Sequence, residues 1–168
     1  MRWKRWKQGW RPPKRSSALY NSMPYVETSI VIAAPARVVY ELAKQQERFP
    51  QFMPDVETVT VLERHADHIL TRWKTLVEEA PIEWTEEDRF NDDELRIDYK
   101  LLEGDLDKFE GSWTFSENGG ETHVVLGVDY DFGVPTLAEL IGPTLERKGR
   151  ENSDMMLAAL KKEAESHA

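Results

Sequence analysis

The chain has 168 residues, 40% hydrophobic and 32% charged, with a formal net charge of −9. That is enough apolar material for the core of one ordinary domain, and it excludes a collagen-like or wholly disordered chain. No apolar run approaches the ~18 residues of a membrane-spanning helix, and the lack of cysteine excludes disulfides, thiolate metal sites and cysteine nucleophiles.

Residues 1–24 hold seven cations (Arg2, Lys4, Arg5, Lys7, Arg11, Lys14, Arg15) and no acid, leaving 15 basic and 31 acidic side chains for residues 25–168. The opening stretch is basic like a signal peptide but has no apolar segment behind it, so a cytoplasmic protein is the default expectation. Trp3, Trp6 and Trp10 interleave with the cations, a pattern that grips anionic bilayers or stacks on single-stranded bases. One reading is therefore contact with a membrane surface or ribosome through residues 1–24. The other is a disordered extension, ended by the linker-like Pro12, Pro13, Ser16 and Ser17, with Met23 as an alternative start. The acidic remainder repels phosphates, so no DNA partner is expected.

Tyr25 to Ile32 alternates, with Val26, Thr28, Ile30 and Ile32 on one face, which predicts a half-buried strand. Pro35 opens a short helix over 36–45 in which Val38, Val39 and Leu42 share a face. The segment 47–55 is broken by Pro50 and Pro54 and reads as a second short helix or turn capping something apolar. Its Phe49, Phe52 and Met53 look exposed. Strand patterns follow at 56–63, 68–77, 82–90, 94–102, 109–117 and 122–132, with turn signals at Ala66-Asp67, Ala80-Pro81, Asn91-Asp92-Asp93, Gly104-Asp105 and Asn118-Gly119-Gly120. Connections this short require antiparallel neighbours. The last 33 residues are helical, with Leu137, Leu140, Ile141, Leu145, Asn152, Met155, Met156, Ala159 and Leu160 at 3–4-residue spacing apart from one longer gap. Gly142-Pro143 predicts a short turn of helix and then a long one starting near Pro143. The expected fold is α+β: a seven-stranded antiparallel sheet wrapped around a long C-terminal helix in the order β-α-α-β6-α, one domain over 25–168.

That order resembles the START/Bet v 1-like helix-grip (SRPBCC) superfamily, and within it the polyketide cyclase/dehydrase and coenzyme Q-binding START-type branch. The resemblance is carried by VETSIVIAAPARVVYELAKQQERFPQFMPDVETVTVLER at 26–64, IEWTEEDRF at 82–90, LEGDLDKFEGSWTF at 102–115 and DYDFGVPTLAELIGPTLERKGRENSDMMLAAL at 129–160. It implies a cavity between sheet and helix holding a hydrophobic small molecule. Roles in the branch include lipid or quinone binding, shaping of polyketide intermediates and ribosome association. No catalytic motif transfers residue by residue.

Strand alternation assigns a lining for such a cavity. Ile69, Thr71, Trp73 and Thr75 share a face, as do Trp84, Glu86, Asp88 and Phe90. Leu95, Ile97, Tyr99 and Leu101 follow, then Phe109, Gly111, Trp113 and Phe115, and last Val124, Leu126, Val128, Tyr130 and Phe132. The ligand-binding candidates are Trp73, Trp84, Glu86, Asp88, Tyr99, Trp113, Tyr130, Asn152 and Met156. Aromatics with a few polar tips suit an amphipathic ligand such as a lipid, quinone or polyketide. They equally suit a filled core. Glu86 and Asp88 are anomalous, because a regular strand sends both carboxylates inward, where they are costly unless paired or protonated. They would orient a ligand or act as a general base. A bulge, a solvated strand end, or pairing with Arg72, Arg147 or Lys148 would make them structural. Asn152 would bind a ligand carbonyl or satisfy Tyr99 or Tyr130, and Gly133, Pro135, Gly142 and Pro143 with Phe49, Phe52 and Met53 would form a portal or be ordinary punctuation.

His65, His68, His123 and His167 lack zinc-ligand spacing, and phosphate-loop, nucleophile-elbow and dinucleotide motifs are missing. No metal or cofactor is expected. The first expectation is non-catalytic binding of a hydrophobic or amphipathic small molecule. A cyclase or dehydratase using Glu86, Asp88, Tyr99 or Tyr130 is the alternative, and a ribosome- or protein-association module the second.

Overall fold

A computed structural model describes residues 25–77, 80–131 and 135–166, with side chains described except over 77–80 and 132–146. The readings made for residues 1–24, Phe132, Gly133 and His167 lie outside the described residues. The elements are β1 (Tyr25–Ile32), α1 (Ala36–Lys44), a 3-10 turn (Gln46–Arg48), α2 (Phe49–Phe52), β2 (Val56–Arg64), β3 (His68–Val77), β4 (Ala80–Asn91), β5 (Arg96–Gly104), β6 (Lys108–Asn118), β7 (Glu121–Asp131) and α3 (Pro135–Ser166). The strands form one antiparallel sheet in the order β1-β7-β6-β5-β4-β3-β2. The short turns make β2 to β7 a meander, and β1 closes onto β7 with Val26 opposite Val128 and Ile30 opposite Val124. This is the helix-grip α+β fold expected from the element order.

Several expectations need correction. Ala80 and Pro81 belong to β4, opposite Val77 and Leu76, so this pair lies within the strand and is not the turn. Leu95 is a turn residue with φ of +51°, half-buried rather than part of a strand face. Val38 and Met155 point outward, at 43% and 44% exposure. The helical period is as expected, but α1 buries Ala36, Val39, Tyr40, Leu42 and Ala43, and α3 buries Ser153, Leu157, Leu160 and Ala164. Finally, α3 is a single helix of 32 residues through Gly142-Pro143. A proline removes one backbone donor, which a long helix packed on a sheet tolerates.

The sheet's inner face, α1, α2 and the C-terminal half of α3 share one core. Phe49 and Met53 are fully buried in it, not exposed as their sequence context suggested. Long-range hydrogen bonds fix the helices. Lys161 Nζ donates to the Val31 carbonyl at 2.8 Å, and the Ala33 N–H donates to Glu165 Oε1 at 2.9 Å. The first free N–H of α1, that of Ala36, donates to Glu117 Oε1 at 2.7 Å, and Thr122 Oγ1 donates to the Ala34 carbonyl at 2.6 Å. A carboxylate at a helix N-terminus satisfies an orphan donor and complements the helix dipole.

Two glycines mark close approaches. A Cβ at Gly111 in β6 would stand 1.9 Å from the Gly127 carbonyl oxygen and 2.7 Å from the Tyr99 hydroxyl. The Tyr99 ring lies across Gly111 and donates to that same Gly127 carbonyl at 2.7 Å. At Gly149 in α3 a Cβ would meet Tyr130 ring atoms at 3.4–3.5 Å, an ordinary contact. Gly111→Ala should therefore cost roughly 3 kcal/mol or more through a backbone collision. Gly149→Ala should be neutral or stabilise by up to about 1 kcal/mol through helix propensity. Urea unfolding of the two variants checks the contrast.

Candidate functional site

The site is built on neighbouring positions of β3, β4 and β5. Trp73 pairs with Trp84, Thr71 with Glu86 and Ile69 with Asp88 across β3 and β4, and Asp88 pairs with Tyr99 on β5. Period-2 geometry puts Trp84, Glu86 and Asp88 on one face. The β4–β5 irregularity beside Thr85 skips Leu102 on β5 and leaves the β4 alternation intact. Both carboxyls therefore point into the core, Glu86 at 3% and Asp88 at 0% exposure. Neither a flipped face nor a solvated strand end applies.

Aromatic rings surround them. Trp73 and Trp84 stack with centroids 5.6 Å apart and planes 9° from parallel. Phe109 bridges Trp84 and Tyr99 at 5.1 and 5.4 Å, and Phe49 of α2 meets the edge of Trp73 at 5.8 Å. The polar tips are committed: Trp73 Nε1 donates to Thr71 Oγ1 at 2.8 Å, and Trp84 Nε1 donates to Glu86 Oε2 at 2.5 Å. Gln46, itself buried at the first position of the 3-10 turn, donates Nε2 to Asp88 Oδ2 at 2.6 Å.

No cation is among the groups that shift the two carboxyls. Arg72 lies 3.8 Å from Glu83, while Arg147 and Lys148 lie 3.9 and 3.5 Å from Glu151. Burial pushes the Glu86 carboxyl well up, and the Asp88 charge adds to it. Burial raises Asp88 to about 6 against the hydrogen bonds from Glu86 and Gln46, which favour its charged form. Were both ionised, Asp88 Oδ1 would be buried without a donor. The hydrogen bond between the two carboxyls requires a proton, and the stronger upward push on Glu86 favours placing it there. Burial also raises the Tyr99 phenol, which stays neutral and donates.

The structure thus brings Trp73, Trp84, Glu86, Asp88 and Tyr99 into one cluster. Tyr130, opposite Phe109, lies against α3 at Gly149. Trp113 sits opposite Ile97 and Leu126, toward the end of the sheet where Tyr40 meets Phe115 edge-on. Asn152 and Met156 are half-buried on α3, and among the described residues no hydrogen bond joins Asn152 to Glu86 or Asp88. Asn152 does not satisfy Tyr99, whose hydroxyl goes to Gly127. Two residues escape the sequence reading. Gln46 falls in the polar run Gln45 to Arg48, where nothing marks one residue as buried. Glu87 is buried on the opposite face of β4, 3.1 Å from Arg89 and 3.8 Å from His68. Its place inside an acidic triplet hides it. Among the described residues no group of histidine and carboxylate side chains could hold a metal ion, and no helix is long and apolar enough to cross a membrane.

The polyketide cyclase/dehydrase and lipid transport family model matches residues 32–159. The chain belongs to this family. It is 34% identical over 129 residues to the actinorhodin polyketide synthase bifunctional cyclase/dehydratase of Streptomyces coelicolor, covering 76% of this chain and 40% of that protein. The chain therefore spans well under half the length of that relative. Among solved structures, the protein TTHA0849 from Thermus thermophilus has a TM-score of 0.83 at 30% identity, over 86% of this chain and 99% of that one. The Zhui aromatase/cyclase from Streptomyces sp. R1128 has a TM-score of 0.76 at 25% identity, over 85% and 94%. The polyketide cyclase/dehydrase branch expected from the sequence holds, and the fold is shared with a START superfamily protein from Mycobacterium smegmatis at a TM-score of 0.75.

The shared proton has a consequence for stability. A carboxyl whose folded-state pKa is raised binds more protons folded than unfolded, so its contribution is greatest at low pH and is lost as pH rises through the window between the two values. For Asp88 that window runs from the ordinary carboxylate range to about 6, and for Glu86 it extends higher. Glu86→Gln keeps an acceptor for Trp84 and a donor for Asp88 but cannot ionise. The wild type should lose more stability than Glu86→Gln between pH 5 and pH 8. Urea unfolding at the two pH values measures this, and equal losses would show that Glu86 is ionised throughout.

Proposed function

We propose that this chain binds an amphipathic, oxygen-bearing small molecule of the polyketide or quinone kind, with the Glu86–Asp88 pair serving its polar end and the Trp73–Trp84 stack its ring or chain. The observation that carries the reading is a fully buried carboxyl pair beside stacked indoles, with no cation among the groups that shift it. Apolar side chains at 86 and 88 would give a more stable core, because buried charges rarely repay their desolvation. Perturbed carboxyls of this kind cluster at functional sites. The family's description spans cyclisation, dehydration and lipid transport, and either use needs a bound hydrophobic molecule.

The same pair supports a second reading, catalysis of dehydration or cyclisation, in line with the names of two relatives. A protonated carboxyl beside an ionised one is an acid and a base held together. On a β-hydroxy ketone, Asp88 would take the proton from the carbon between the two functions. Glu86 would give its proton to the leaving hydroxyl, the C–O bond would break, a C=C bond would form and water would depart. The proton left on Asp88 returns to Glu86 across their shared hydrogen bond, so the pair is regenerated without a co-reactant.

Native mass spectrometry of the full chain, with organic extraction, tests the first reading. A near-stoichiometric hydrophobic passenger is expected, together with saturable tryptophan quenching by a hydroxyanthraquinone that weakens about tenfold in Trp84→Phe. A bare mass with no saturable quenching would remove the reading. For the second, Asp88→Asn should abolish turnover of a β-hydroxy ketone while the quenching constant is retained, and unchanged turnover would sink it.

A further inference from the structure

We propose that Gln46 is a positioning residue for the carboxyl pair: by donating to Asp88 it fixes the charge on Asp88 and the proton on Glu86, so that a ligand hydroxyl meets a defined donor and acceptor rather than two interchangeable acids. The inference deepens the small-molecule reading above and rests on it for the ligand alone.

The geometry is specific. Gln46 is 2% exposed, and its Nε2 lies 2.6 Å from Asp88 Oδ2. Each carboxyl thus accepts one N–H donor, Asp88 from Gln46 and Glu86 from the Trp84 indole, and Gln46 is the donor that Asp88 would otherwise lack. Hydrogen bonds to an ionised group favour its ionised form, so without Gln46 only Glu86 would have an N–H to support its charge. The other groups around the pair do not reverse this order. On β3, Thr71 and Ile69 opposite the two acids carry no charge, and on β5 Tyr99 opposite Asp88 is neutral with its proton committed to the Gly127 carbonyl. Glu87, next along β4, adds repulsion at Asp88, which makes the Gln46 donor more necessary.

A glutamine serving packing alone would have both ends of its amide satisfied. Here Oε1 of Gln46 is buried with no hydrogen-bond partner among the described residues. An acceptor beside a carboxylate suits a hydroxyl donor from a ligand. The turn that carries Gln46 is itself held, since Arg48 lies 3.2 Å from Glu163 of α3 and Phe49 meets Trp73. The amide is thus anchored from both sides.

The test needs no ligand at first. In nitrogen-15-labelled full-length protein, the Trp84 indole N–H resonance, assigned by its loss in Trp84→Phe, reports whether its acceptor Glu86 is neutral or ionised. Glu86→Gln supplies the neutral reference, invariant with pH. The wild-type resonance should stay near that reference through neutral pH. In Gln46→Met, which keeps the length and removes the donor, the proton passes to Asp88 and the resonance should shift toward the carboxylate position at lower pH than in wild type. Superimposable titrations would overturn the proposal. Should Gln46→Met fail to fold, Gln46→Glu donates only when protonated, and its resonance must match wild type at the acid end and depart above it; a resonance that tracks wild type throughout overturns the proposal.

The ligand part is read by calorimetry with 2-naphthol and 2-methoxynaphthalene. Gln46→Met should weaken the naphthol about tenfold or more and leave the methoxy compound unchanged. Equal losses would overturn the hydroxyl assignment. Failure of both probes to bind wild type would count against the small-molecule reading, and the indole titration would still decide where the proton sits.

Discussion

Two carboxyl groups withdrawn from water two positions apart on a strand cannot both be charged without a cation, and Glu86 and Asp88 have none among the groups that shift them. Sharing a proton is what the hydrogen bond between the two carboxyls requires. That single constraint organises its surroundings. It gives the Trp84 indole an acceptor, recruits the Gln46 amide from another element, and adds negative charge beside the Tyr99 phenol, which burial already keeps protonated. The aromatic shell serves the same end, because stacked indoles exclude the water that would let both acids ionise.

The sheet is shaped so that this cluster closes. Tyr99 can lie flat across β6 only because residue 111 has no side chain, and its hydroxyl then reaches a carbonyl on β7 rather than turning back to the acids. Tyr99 is therefore a wall of the site. The acids are left to each other, to Trp84 and to Gln46. Belonging to a family described by both cyclisation and lipid transport fits such a site, since one arrangement of polar groups can orient a bound molecule or exchange protons with it.

Much of this is legible in the sequence because period-2 alternation survives intact in β3 and β4. Spacing alone places Trp73, Trp84, Glu86 and Asp88 on one face, and Tyr99 follows from β5. Gln46 cannot be found that way, because its burial depends on where a 3-10 turn between two short helices comes to rest, and no local pattern encodes that. Glu87 is hidden for a related reason: alternation sends it to the other face, where His68 of β3 and Arg89, two positions along β4, lie beside it. Val38 and Met155 mislead because a residue's side of a helix is set by where the helix is packed, and the stripes that α1 and α3 turn to the core, Val39-Tyr40 with Leu42-Ala43 and Ser153, Leu157 with Leu160, leave these two on the outer side. Gly142-Pro143 reads as a break because local propensity disfavours helix there, and tertiary packing overrides it.

The closure of β1 on β7 and the capping of α1 by Glu117 have a bearing on how the chain acquires its shape. The strand of the sheet that emerges from the ribosome ahead of the others pairs with the last, and α1 has its leading N–H satisfied by a residue 81 positions later. At usual synthesis rates, Val26 waits roughly 5–20 s for Val128 to be made. Through that interval β1 and the apolar face of α1 have no native partner, while β2 to β5 can already form hairpins. The order of assembly is thus inverted relative to the order of synthesis, a topology of high contact order. Whatever shields that first strand and helix during the wait governs how much chain reaches the native state.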